Sequence, residues 1–164
     1  MGDYETSKNG FHFFWKGILG QWYPSPFTVN GVKYPTAEHW MMAEKARLFG
    51  DTKTLDEILK TDSPKLAKDW GRRVAEFDQK VWDSHCFDIV VQGNIHKFSQ
   101  NPDLRAKLLG TGYQILVEAS EFDKIWGIGL AQDDPWATNP AVWQGKNLLG
   151  LALMKVRNEL RETP

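Results

Sequence analysis

Two opposite charges stand seven residues apart in the stretch YPTAEHWMMAEKARLFG, which begins at Tyr34. Glu38 and Lys45 share a helical face with Met42 and Phe49, because positions four, seven and eleven apart stack on one side of a helix. Two readings follow. In the first, both side chains snorkel to water at the edge of an apolar stripe. In the second, the face lines a cleft. Desolvation there raises a glutamate pKa and lowers a lysine pKa, and a neutral lysine amine is a nucleophile able to form an imine. His39 points away from this face and reads as structural.

A second group lies in EFDKIWGIGLAQDDPW. Asp123 precedes Trp126 by three residues, and Trp126 opens the run Trp126-Gly127-Ile128-Gly129. The dinucleotide fingerprint does not fit, because its third glycine would fall on Gln132 and no suitable helix follows. Two readings remain. One is a tight loop whose amides approach a ligand, with Trp126 as a stacking wall and Asp123 as a carboxylate beside it. The other is a plain turn with a buried indole. Asn147 opens a C-terminal amphipathic run, where its amide can cap the helix or hold a ligand. Arg72, in WGRR, suits bidentate phosphate binding or a solvated helix end. Eight tryptophans suit stacking on bases or sugars as well as core packing, and Trp15, Trp22, Trp82 and Trp126 are the candidates for stacking.

The elements that must position these residues are legible in outline. FHFFWKG, from Phe11, alternates and reads as a strand. FTV-NG-VKY is a hairpin signal at Asn30-Gly31. Thr36 can cap the helix that carries Glu38 and Lys45, and Gly50 can stop it. DTKTLDEILK is a second helix. Ser63-Pro64 starts a third, a longer helix carries Trp82 inward, and NPDLRAKLLG forms another. YQILVEAS reads as a strand. Leu149, Leu153, Val156 and Leu160 mark a last amphipathic helix. The expected fold is α+β, mainly helical with a small sheet or hairpin. A single domain over residues 11–161 follows a flexible N-terminus of residues 1–10.

Composition bounds the function. The chain has 164 residues, enough for one real core, and a formal net charge of -1, which offers no broad basic surface for nucleic acid. The four histidines are scattered and Cys86 is the only cysteine, so neither a metal, a cofactor nor a disulfide is expected. No apolar run suggests a signal peptide or membrane span, which makes the cytoplasm the expected compartment.

These motifs occur together, in order, in one family. QWYPSPF, YPTAEHWMMAEKARLFGD, WGR, VW, LLGTG, the Trp-Gly-Ile-Gly loop and the C-terminal GKNLLG run resemble the NADAR family from about Phe11 to Leu160. That resemblance implies cleavage of an N-glycosidic bond. One branch of the family acts on phosphoribosylamino-pyrimidine intermediates of riboflavin synthesis, and another removes ADP-ribose from guanine in DNA. It carries roles onto Glu38, Lys45, Trp82, Asp123, Trp126 and Gly127. Ile128 departs from members with an acidic residue in this loop, so that carboxylate is absent or replaced by Asp133 or Asp134. Glu38 and Asp123 could stabilise an oxocarbenium-like state and protonate the departing nitrogen, in an order the sequence leaves open. Lys45 could instead attack an opened sugar. A non-catalytic ADP-ribose-binding module is the alternative, although a pure binder has no need of Glu38, Lys45 and Asp123 together.

Overall fold

The computed structural model describes residues 4–163. The chain divides into two compact units, one of residues 21–102 and one of residues 4–20 with 103–163. The fold is α+β, with six α-helices and two small sheets among the described residues.

In the unit of residues 21–102, strands β3 (Phe27–Val29) and β4 (Val32–Tyr34) form a hairpin in which Val29 faces Val32. Its two-residue turn holds Asn30 at φ +50° and Gly31 at +79°, the left-handed pair that matches the twist of the strands. Helix α1 (Ala37–Leu48) follows, capped by Thr36, whose hydroxyl accepts the His39 amide N–H at 3.2 Å. Gly50, at φ +70°, lets the chain leave α1 and donates to Arg47 O. Asp51 then caps α2 (Thr52–Lys60), and Ser63 with Pro64 opens α3 (Pro64–Gly71). Asp78 caps the longest helix, α4 (Gln79–Gln100). Helix α1 packs against α2, α3 and α4 and is the buried spine of this unit.

Glycine sets two of these approaches. A Cβ on Gly93 of α4 would run into the Trp40 indole of α1, and one on Gly71 of α3 would meet the Met42 side chain. With α4 that close, Trp40 Nε1 donates to Ile89 O at 2.9 Å.

The other unit holds a three-stranded sheet in the order β1 (Glu5–Lys8), β2 (Phe11–Phe14), β5 (Ile115–Glu118). Strand β2 pairs antiparallel with β1 and parallel with β5. Part of the expected flexible N-terminus of residues 1–10 is a strand, and residues 1–3 lie outside the described residues. Residues 5–8 form an edge strand, and Asn9 (φ +53°) and Gly10 (φ +82°) make a second Asn-Gly hairpin with Lys8 opposite Phe11. Strand β1 carries polar residues because its faces are largely exposed, so it lacks the apolar alternation that marks a buried strand. Helices α5 (Pro102–Gly110) and α6 (Leu148–Glu162) belong to this part of the chain, apart from Pro102, and α6 packs on β5. The core here gathers Phe13, Val117, Ala119, Ile128, Leu130 and Ala137. Ile128, which stands where a carboxylate was weighed, is fully buried in it. Of the two acidic residues considered as replacements, Asp133 is exposed, and Asp134 accepts the Trp136 amide N–H at 2.8 Å.

Candidate active site

Helix α1 places Glu38 and Lys45 on one face, and neither side chain is fully exposed. Glu38 is 6% exposed and Lys45 is half-buried. Burial pulls the Lys45 ammonium below the ordinary lysine range. The Glu38 carboxylate pushes it back up, and the Arg72 guanidinium pulls it down again. Glu38, Lys45 and Arg72 are therefore one electrostatic group. Arg72 reaches it as the exposed C-cap of α3.

Two rings complete this cluster. Lys45 Nζ lies 4.5 Å from the Phe77 ring centroid and 5.4 Å from that of Trp82. Trp82 is buried on α4, as the inward helical position predicts. Phe77 is the residue that sequence reasoning missed. A signal existed: Phe77 immediately precedes the Asp78 cap and Trp82 lies in the next turn, the N′ and N4 positions of a hydrophobic staple.

A second missed feature lies at the start of α1. Gln21 accepts the Glu38 amide N–H on its backbone carbonyl, and its side-chain oxygen accepts from Asn94 Nδ2 at 3.0 Å. Among the described residues, Gln21 Nε2 and Asn94 Oδ1 are buried without a hydrogen-bond partner. His39, by contrast, is fully used by the protein. It is wholly buried, its Nε2 donates to Thr61 O at 2.8 Å, and Nδ1 lies 2.8 Å from the Thr36 hydroxyl. Burial lowers its pKa, which favours the neutral ring.

Trp22, in the same unit, lies elsewhere. It is 44% exposed and lines a cleft of about 510 Å³ with Pro24, Pro26, Pro35 and Pro64, whose walls include neither Glu38 nor Lys45.

The remaining candidates belong to the unit with the three-stranded sheet. Asp123 Oδ1 accepts the amide N–H groups of Ile125 and Trp126 at 2.9 and 2.8 Å, so the carboxylate shapes the loop that presents the half-buried Trp126. Gly127 is needed because a Cβ there would come within 2.9 Å of Asp123 O and 3.0 Å of Glu118 O. Gly129 is needed for its φ of +72°. The Gly127 carbonyl accepts the Asn147 amide N–H and Ile128 N donates to Glu118 O, so the loop's backbone is tied into the protein.

Asn147 departs from both of its expected uses. It makes no side-chain cap, and its amide bonds β5 instead, with Oδ1 accepting from Glu118 N and Nδ2 donating to Leu116 O, both at 2.9 Å. Trp15 is exposed at the end of β2 with Lys16 Nζ 4.4 Å from its ring. Among the described residues, no group of three or more His, Cys, Asp or Glu could hold a metal ion. No described helix is long and apolar enough to cross a membrane.

A lysine with lowered proton affinity, near a carboxylate and two aromatic rings, has the makings of a nucleophilic amine. Comparison with known proteins gives the class. The model of the NADAR domain matches residues 13–161, and the chain belongs to that family. It is 48% identical over 147 residues to an N-glycosidase of Acanthamoeba polyphaga mimivirus, covering 87% of this chain and 86% of that protein. It is 31% identical over 146 residues to a riboflavin biosynthesis protein of Vibrio vulnificus, covering 89% of this chain and 36% of that longer protein. The NMR structure of the Escherichia coli protein YbiA superposes with a TM-score of 0.77 at 30% identity, covering 98% of this chain and 90% of that one. YbiA is itself named an N-glycosidase.

Proposed function

We propose that this chain hydrolyses the C–N bond of a phosphoribosylamino-pyrimidine, an early intermediate of riboflavin synthesis, in the cytoplasm. The chain is a hydrolase of N-glycosidic bonds, the activity carried in the names of its viral and bacterial relatives. The riboflavin substrate class is supported by the Vibrio relative's name. The single observation that carries the chemistry is the half-buried Lys45 amine within the field of Glu38 and Arg72 and against two aromatic rings.

In this reading Lys45 attacks C1′ of the sugar in its open-chain form. The C1′–N bond to the pyrimidine breaks, the departing amine takes up a proton, and a lysine imine of the sugar remains. Water then adds to C1′, the imine nitrogen leaves as the free amine, and ribose 5-phosphate is released. Glu38 is the proton donor and acceptor beside Lys45, Arg72 takes the phosphate, and Trp82 packs against the sugar or base. Asp123 contributes by holding the loop of Trp126 and Gly127. A route through an oxocarbenium-like state, stabilised by a carboxylate, uses the same substrate and products.

The test is incubation of the protein with a phosphoribosylamino-pyrimidine and, separately, with an oligonucleotide carrying ADP-ribosyl-guanine. Release of ribose 5-phosphate from the first is the expected result. Release of ADP-ribose only from the second would transfer the same chemistry to DNA, and binding with no release from either would leave a binding module.

A further inference from the structure

Phe77 is held over Lys45 at some conformational cost. The residue before it, Glu76, has φ +57°. Of the five described non-glycine residues with positive φ, three are asparagines, which tolerate that region, whereas Glu76 and Lys16 are of types that do not favour it. The loop is also pinned. Asp51, the cap of α2, uses Oδ2 to accept the Ala75 amide N–H at 2.8 Å. Phe77 meets Phe49 edge-on at a centroid distance of 5.3 Å, yet 40% of it stays exposed. Trp82, the other ring beside Lys45 Nζ, is only 8% exposed. A hydrophobic staple needs neither a strained residue nor an exposed ring, and local strain of this kind marks positions whose geometry matters beyond packing.

We propose that Phe77 is the outer wall of the Lys45 site and determines specificity by stacking on the planar heterocycle of the substrate, with Asp51 and the left-handed Glu76 as its positioning residues. Trp82 closes the site from the protein side, and Phe77 is the ring that a ligand arriving from solvent meets. The ligand class is a flat, electron-rich heteroaromatic aglycone. The sugar phosphate has no π-face and makes no such demand on Phe77. This assignment rests on the glycosidase reading for the identity of the aglycone, and it is tested by binding without turnover.

The experiment titrates wild type, Phe77→Leu and Phe77→Trp calorimetrically with two separate probes, the free diaminopyrimidine aglycone and ribose 5-phosphate. Leucine fills the staple position but cannot stack. Phe77→Leu should therefore weaken the pyrimidine about 10-fold while leaving ribose 5-phosphate unchanged, and Phe77→Trp should restore the pyrimidine. A thermal melt of each variant confirms that it is folded. Asp51→Asn, which keeps the cap oxygen and drops its charge, should show a smaller loss with the same selectivity. Unchanged pyrimidine affinity in Phe77→Leu, an equal loss for both probes, or a wild type that binds no pyrimidine overturns the proposal. Wild type that binds pyrimidine and stacks it on Phe77 but releases no ribose 5-phosphate from the glycoside overturns the glycosidase reading alone.

Discussion

In the proposed mechanism Lys45 is the central residue. Burial lowers its proton affinity below that of an exposed lysine, Glu38 opposes that shift and Arg72 adds to it. The aromatic rings of Phe77 and Trp82 favour the ammonium form as well. If the imine route operates, borohydride added during turnover traps a sugar on the peptide containing Lys45, detectable by mass spectrometry. Lys45→Arg keeps the charge, cannot form that imine, and should be inactive and untrappable. An active Lys45→Arg enzyme would return the chemistry to carboxylates. Glu38→Gln removes charge with little change of shape at a buried position. It should keep the melting temperature and lower kcat by ~10²–10⁴-fold. Near-normal kcat in a steady-state assay would remove Glu38 from the mechanism. These two positions were legible because their helical spacing is simple and their types are out of place on an apolar face. Phe77 was not read as part of the site, because a lone aromatic residue in a polar loop does not show which side chain it faces.

At the scale of elements, short polar contacts hold the strands and helices in register. Asn147 sits at φ +54°, 2% exposed, and its amide spans two backbone groups of β5. Asn147→Ala leaves a buried donor and acceptor unpaired and puts alanine in the left-handed region. A loss of about 2–4 kcal/mol in denaturant-unfolding stability is expected. Stability within experimental error of wild type, together with weakened ligand binding, would instead make Asn147 a ligand contact. Most helix starts were readable, since Thr36, Ser63 and Pro64 are local signals whose effect is confined to the first turn. Strand β1 was not readable, because its Asn9-Gly10 turn joins one apolar strand to one polar strand, and exposure rather than propensity explains the second.

At the scale of the whole chain, one group sets a pH dependence of stability. Lys97 of α4 is fully buried, and burial pushes its pKa down to about 7. The unfolded chain binds a proton there up to its ordinary value near ~10.4, so between these pH values the unfolded state holds more protons. The resulting penalty on folding is nearly complete at neutral pH and fades as pH rises. Lys97 should therefore add stability on the order of 2 kcal/mol between pH 7 and 9. The same rise should be missing in Lys97→Met, measured by chemical unfolding of both proteins at the two pH values. Equal slopes would show that the folded state keeps the ammonium form across this pH range. Lys97 was invisible to sequence reading, since a lysine near a helix end ordinarily lies in water. The sequence by itself determined what depends on neighbours along the chain: the caps, the Asn30-Gly31 turn, the helical face shared by Glu38 and Lys45, and the motif order that marks the NADAR family. Only the tertiary structure decided what depends on residues far apart in sequence. It set Phe77 beside Lys45, joined Gln21 to Asn94, and spent the Asn147 amide on β5. The physical reason is that burial, proton affinity and hydrogen-bond partnership belong to a residue's surroundings in space, and local spacing does not specify them.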